Sequence, residues 1–107
     1  MSKVSEIIKK YKEYKADIVD IDIKIGNIEC DPEEKEVLLK EKEDKIVKIR
    51  RIDNALTVLK EPYREIIEEI LIHGKRYSYM QERLHLSYSR IKQLEGEAIS
   101  KIKKYIL

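Results

Sequence analysis

The sequence has few of the residues that build sheets, tight turns and large cores. Its 107 residues include no tryptophan, no phenylalanine, three glycines and two prolines. Strands joined by many turns need more glycine and proline than this, so a sheet-based fold is excluded. A chain rich in Glu, Lys, Ile and Leu instead predicts long, solvent-exposed helices around a thin core, an all-α fold.

The signals of a secreted, membrane-bound or catalytic protein are also missing. A single cysteine, Cys30, excludes an internal disulfide, so nothing argues for an oxidising compartment. No apolar run approaches the ~20 residues of a membrane span, and the N-terminus lacks a signal-peptide core. His73 and His85 share no ligand spacing with Cys30. We therefore expect a cytoplasmic protein that is not an enzyme, with no metal, no cofactor and no membrane partner.

Charge is abundant but unevenly distributed. Charged residues make up 41% of the chain, against roughly 25% in an average globular protein. The net charge is −1 over residues 1–59, −2 over 60–74 and +5 over 75–107. A basic C-terminal third is typical of an end that faces nucleic acid, and an ordinary solvated helix face is the other interpretation.

Apolar residues near the N-terminus alternate spacings of three and four, which is the a/d pattern of a coiled coil. The pair Gly26-Asn27 predicts that this helix stops near Ile25, since both residues tolerate left-handed backbone angles. We call the repeated positions the association seam and expect them to mediate self-association. The seam consists of Ile7, Tyr11, Tyr14, Ile18, Ile21 and Ile25, and the same pattern extends to Val4 and Ile28.

A second long helix is predicted to begin at Asp31-Pro32, because Asp caps free backbone N–H groups and Pro suits the first turn. Its apolar pattern continues to Leu59, and Pro62 is expected to close it. The two helices should form an antiparallel hairpin over residues 1–59. Such a pair buries little surface alone, so it should pack against a second copy, giving a homodimer, or against the C-terminal unit.

Residues 60–107 contain three further predicted helices. Pro62 opens the first, whose buried stripe contains Ile66, Ile67, Ile70 and Leu71, and Gly74 stops it. A short helix follows near Tyr77–Leu84, then a turn at His85-Leu86 and a long helix from Ser87. This unit is predicted to be a helix-turn-helix DNA-binding domain.

The last helix divides into an apolar face and a polar face, as a recognition helix must. Ile91, Leu94, Ala98, Ile99 and Ile102 fall on the apolar face. Arg and Lys suit guanine O6/N7 and Gln suits adenine N6/N7, while an N-cap serine and preceding basic residues suit phosphates. The candidate DNA-binding residues are Lys75, Arg76, Ser87, Tyr88, Ser89, Arg90, Lys92 and Gln93.

The stretch "LSYSRIKQLEGEAISKI" resembles the recognition helix of region four of primary-type sigma factors. The lead-in "LKEPYREIIEEILIHGKRYSYMQERL" looks like the segment that precedes it in that family, so the resemblance covers residues 54–107. The family has Arg-Glu, which reads promoter bases, where this chain has Tyr88 and Ser89. With its heptad-rich first half, the chain also looks like small phage and prophage regulators of the RinA/ArpU type. That resemblance implies control of phage or mobile-element transcription.

Three functional hypotheses follow. The first is a sequence-specific DNA-binding transcriptional regulator acting on double-stranded DNA. The second is an adaptor that binds RNA polymerase or a sigma or anti-sigma partner without binding DNA by itself. The third is a structural coiled-coil component whose activity resides in residues 1–59.

Overall fold

The computed structural model describes residues 2–27 and 29–107, and every regular element in that part of the chain is helical. The all-α prediction is confirmed. The helices are α1 (Lys3–Lys9), α2 (Tyr11–Ile25), α3 (Pro32–Thr57), α4 (Tyr63–Ile66), α5 (Tyr77–Leu84) and α6 (Tyr88–Ile106), with a π-helical segment (Ile67–Ile72) that continues α4.

The N-terminal segment is two helices, so the prediction of one unbroken helix to Ile25 is wrong. Lys10 breaks it, and its N–H bonds the carbonyl of Ile7 at 3.2 Å. In a continuous helix, Val4 and Ile8 would point in a different direction from Tyr14 and Ile21. The break lets both sets be buried, α1 against the C-terminal unit and α2 against α3.

Helices α2 and α3 pack antiparallel, because contacts that move back along α2 move forward along α3. Asp22 pairs with Lys42, Asp17 pairs with Lys45, and the Tyr11 hydroxyl donates to Asp53 at 2.6 Å. The association seam is used for this packing within one chain. Tyr14 and Ile21 are buried, while Ile7, Tyr11, Ile18 and Ile25 are half-buried. Ile28 lies outside the described residues. Pairing between chains through the seam stays a prediction.

The start of α3 is as predicted, but its end is not. The Asp31 side chain accepts the Glu33 N–H at 3.2 Å, and Pro32 is the first helical residue. The helix ends at Thr57 rather than at Pro62. The Thr57 hydroxyl donates to the Asn54 carbonyl at 2.6 Å, and the Arg64 guanidinium donates to the Leu56 carbonyl at 3.1 Å. These bonds satisfy carbonyls that a continuing helix would have used, and the chain then turns to bury Leu59.

Two turn residues in the C-terminal unit have left-handed backbone angles. Gly74 has φ 67° and ends the helical segment before α5, and His85 has φ 55° between α5 and α6. Gly26, in contrast, has φ −72°, so α2 stops where predicted but not through a left-handed glycine. Instead, the Asn27 side chain accepts the Glu29 N–H at 3.1 Å and turns the chain.

One hydrophobic core links the two halves of the chain. The side chains buried in it include Val4, Ile8, Ile52, Ala55 and Leu56 from the first half, and Ile66, Ile67, Met80, Ile91, Leu94, Ala98 and Ile102 from the second. The predicted stripe of the third helix is confirmed, since Ile66, Ile67, Ile70 and Leu71 are all buried. The core lies at one end of a molecule 55 Å long and 26 Å wide. It anchors α6 through its buried face.

Candidate nucleic-acid interface

The first turns of α6 form an exposed surface held by a buried underside. Ser87 is the N-cap, and its side-chain oxygen accepts the Arg90 N–H at 3.1 Å. Ile91 and Leu94 are 0% and 3% exposed and anchor the helix in the core. Every one of the candidate residues before and within α6 is exposed, as predicted: Lys75, Arg76, Ser87, Tyr88, Ser89, Arg90, Lys92 and Gln93.

Two sides of α6 differ in how tightly their polar groups are held. Lys92 lies 3.3 Å from the Tyr77 hydroxyl, 3.5 Å from a Glu95 oxygen and 4.9 Å from the centre of the Tyr77 ring. Tyr88 makes an edge contact with the same ring, with 5.4 Å between ring centroids. Lys92 and Tyr88 are thus tied to α5.

Glu95 is the centre of this arrangement and was missed by the sequence reasoning. It is 7% exposed, and the Tyr77 hydroxyl donates to both of its carboxylate oxygens, at 3.0 and 2.9 Å. A buried carboxylate needs such partners because an unpaired charge in the interior is costly. The signal that reveals it is its position: Glu95 falls on the same helical face as Ile91, Leu94 and Ala98, so a partner on the preceding helix is required.

The pKa values of Tyr77 and Lys92 are both raised. Burial first, and then the hydrogen bond to Glu95, raise the pKa of Tyr77 above its ordinary value of 10.0. The hydrogen bond to Tyr77, followed by the charge of Glu95, raises the pKa of Lys92 above 10.5. Tyr77 therefore stays neutral and Lys92 stays charged at physiological pH. We call Tyr77, Lys92 and Glu95 the tyrosine-carboxylate cluster.

Arg90 and Gln93 are the less constrained residues of the surface. Across residues 2–27 and 29–107, the structure gives neither side chain a hydrogen bond or an ion pair. A Cβ added at Gly96, one turn after Gln93 and Lys92, would meet nothing within 4 Å. The absence of a side chain at Gly96 thus leaves open space on the exposed side of α6.

Lys75 and Arg76 precede α5 and lie at the edge of the same surface. The Lys75 backbone N–H donates to the Glu69 carbonyl at 2.8 Å, and its ammonium group lies 5.2 Å from the Tyr79 ring centre. Arg76 is the N-cap residue of α5 and makes no side-chain capping bond. A third nearby cation, Arg83, is paired with Glu65. Lys75 and Arg76 therefore add positive charge beside α6, whereas the charge of Arg83 is neutralised by its ion pair with Glu65.

The described part of the chain holds no set of three His, Cys, Asp or Glu side chains arranged for a metal ion. None of its helices is long and apolar enough to cross a membrane. No protein-family model matches the chain, and no curated protein or solved structure shows significant similarity to it. The function is therefore inferred from the residues of the α5–α6 surface.

Proposed function

We propose that the chain is a sequence-specific DNA-binding transcriptional regulator that reads the major groove with α6. The observation that carries the proposal is the exposed start of α6. Its N-terminus is capped and its underside is buried, and the side chains of Arg90 and Gln93 are exposed and form no hydrogen bond or ion pair within the described chain. A recognition helix requires this division between an anchored face and a donor-bearing face.

Phosphate contacts would come from the rim of the surface. The free N–H groups at the start of α6 and the side chains of Lys75 and Arg76 suit phosphate oxygens. The net charge of +5 over residues 75–107 would raise the association rate and the salt sensitivity of binding. These contacts would position the protein on the duplex without selecting its sequence.

Base contacts would come from exposed side chains in the first turns of α6. Arg90 suits guanine and Gln93 suits adenine through paired hydrogen bonds. Lys92, which the sequence also assigned to base contact, is held by Tyr77 and Glu95, so we assign it to a supporting role. The short side chain of Ser89 and the absence of one at Gly96 leave room for close approach to the groove.

The resemblance to sigma region four and to RinA/ArpU-type regulators supports the same proposal and extends it to phage or mobile-element genes. A homodimer belongs to the proposal as well, because two copies of α6 would then bind paired half-sites.

The experiment that tests the proposal is selection of bound duplexes from a randomised library at about 150 mM salt, followed by a salt titration on the selected sequence. We expect one enriched motif and a steep fall in affinity with salt, with a slope of about −0.9 for each phosphate contacted. Arg76→Ala should reduce that slope by about 1, and Lys12→Ala, on the outer face of α2, should leave it unchanged. Failure to enrich any motif would contradict the proposal.

A second candidate is the adaptor function, in which the same surface binds RNA polymerase or a sigma-type partner. It is favoured by Tyr79 and Tyr88, which are 41% and 51% exposed beside the basic residues, because aromatic residues and arginine are enriched in protein interfaces. Retention of RNA polymerase after nuclease treatment, with no DNA affinity in the isolated protein, would select this candidate.

A further inference from the structure

The outward face of α3 carries a stripe that nothing in the described chain covers. Its positions are separated by four, three, four, three and four residues, which places them along one side of the helix. Val37 and Val47 are 57% and 41% exposed on this face. We call it the α3 outer stripe, and it consists of Glu33, Val37, Lys40, Asp44, Val47 and Arg51.

The inward face of α3 is already occupied. Leu38 and Ile52 are buried, and Lys42 and Lys45 form ion pairs with Asp22 and Asp17 of α2. The stripe from Glu33 to Val47 therefore takes no part in the hairpin, and the exposed Arg51 at its end borders a pocket that Ile7, Tyr14 and Ile106 also line. Within residues 2–27 and 29–107, its four charged side chains form no ion pair and no side-chain hydrogen bond with one another or with other groups.

The order of residues in the stripe is complementary to its own reverse. Inverting α3 about the level of Lys42 brings Val37 opposite Val47, because each lies five residues from that level. The same inversion brings Lys40 opposite Asp44. At the two ends it brings Glu33 opposite Arg51. Each valine thus meets a valine and each charged side chain meets one of opposite charge. These contacts extend over about 27 Å of helix at 1.5 Å per residue.

We propose that the α3 outer stripe binds the same stripe of a second copy of this chain, with the two α3 helices antiparallel about a two-fold axis. A two-fold interface requires that residue i contact residue j and that j contact i, and the stripe meets that requirement at every position. The interface contains four valines at two apolar contacts, two Lys40–Asp44 pairs and two Glu33–Arg51 pairs.

The composition of the stripe favours a second copy over other occupants. Its four charges cancel, so it offers no net attraction to a polyanion such as DNA. Two valines separated by charged residues form no continuous apolar face of the kind that binds a membrane surface. The inference rests on the homodimer of the proposed function and names its interface, but it does not depend on DNA binding, since it concerns α3 and not the α5–α6 surface.

The central test exchanges charges across the two-fold axis. In Lys40→Glu, residues 40 and 44 are both acidic, so both symmetric pairs become repulsive. In Asp44→Lys, they are both basic, with the same result. We expect each variant to raise the dissociation constant of the dimer about tenfold or more. An equimolar mixture of the two variants restores opposite charges at both pairs and should dimerise.

The measurement is sedimentation equilibrium without DNA at high micromolar protein concentration and low salt, where the monomer mass is 12.8 kDa. Lys12→Glu is the matched control, since it makes the same charge change on the outer face of α2 and should remain dimeric. Circular dichroism establishes that each variant is folded.

Recovery of the dimer in the mixture of two monomeric variants would support this interface, because a folding defect in either chain would not be cured by the other. A monomeric parent would overturn the proposal. A Lys40→Glu variant as dimeric as the parent, or a mixture that stays monomeric, would overturn it too. Because no DNA is present, none of these outcomes depends on the proposed DNA binding.

The register has its own test in the Cys30→Ser background. A chain with Val37→Cys mixed with a chain with Val47→Cys should form an oxidised cross-link, and either chain alone should not. Equivalent positions in the dimer are about 15 Å apart along the axis, beyond the reach of a disulfide. Cross-linking of Val37→Cys to itself, or none in the mixture, would contradict the proposed pairing.

Discussion

The two ends of this molecule are stabilised in different ways. Near the hairpin tip, Ile21 and Leu38 are buried, and the ion pairs of Asp22 with Lys42 and Asp17 with Lys45 border them. At the other end, seven helical segments of the described chain share a core in which many side chains are fully buried. The C-terminal surface is thus anchored by the shared core, whereas the hairpin leaves its outer apolar positions uncovered within the described chain.

The largest expected effect on stability follows from the loss of a side chain that joins the two ends. Ile52 lies on α3 and is 0% exposed in the shared core. Ile52→Ala should lower the free energy of unfolding by about 2–5 kcal/mol. Val19→Ala on the exposed face of α2 should change it by no more than about 0.5 kcal/mol. Urea unfolding of both variants measures the difference, and equal effects would mean that the shared core does not hold the hairpin.

The tyrosine-carboxylate cluster should give the next largest effect. Tyr77→Phe leaves the buried Glu95 carboxylate without its two hydrogen bonds, which should cost about 1–3 kcal/mol of unfolding free energy. Tyr79→Phe is the matched control, since that exposed hydroxyl forms no hydrogen bond in the described structure and its loss should cost little. If both variants unfold alike, the cluster does not stabilise the α5–α6 pair.

A substitution in the turn between α5 and α6 should raise the stability of the protein. His85 has φ 55°, a conformation that costs residues with a Cβ energy but costs glycine little. His85→Gly should therefore raise the free energy of unfolding by about 0.5–1 kcal/mol, and His85→Val should lower it. Thermal unfolding of the three proteins provides the comparison, and a loss of stability in His85→Gly would show that the imidazole is needed.

A smaller change in folding stability is expected in alkaline solution. The folded protein raises the pKa of Tyr77 and of Lys92, so it binds these protons more tightly than the unfolded chain does. The contribution to stability is therefore complete below the unfolded pKa values of 10.0 and 10.5. It is lost as the pH rises through the folded values.

Urea unfolding on either side of pH 10.0 would measure this loss in the parent and in Tyr77→Phe. We expect the variant to lose less stability than the parent as the pH rises. A slope that is the same in both proteins would contradict the shift assigned to Tyr77.

Local signals predicted the C-terminal end well. The Ser87 cap, the turn at His85 and the stop at Gly74 depend on residues next to one another in the chain, and all three are confirmed. The break at Lys10 and the end of α3 at Thr57 were not predictable in this way. They depend on which helix each segment packs against and on the distant Arg64.

On the candidate surface, too, the features that depend on packing between helices could not be predicted from local sequence. The exposed face of α6 could be predicted from its periodicity, but the role of Lys92 could not. Its partners are Tyr77, fifteen residues earlier, and the buried Glu95, and only the packing of α5 on α6 brings them together.

The measurement that tests the central claim most directly compares affinity for the selected DNA site with affinity for a scrambled duplex. In the Arg90→Ala/Gln93→Ala variant, we expect the preference for the selected site to fall by about 1–3 kcal/mol for each lost base contact, with affinity for scrambled DNA less affected. Arg76→Ala should weaken binding to both duplexes alike. A double variant that keeps the full preference of the parent would contradict the claim that α6 reads the DNA sequence.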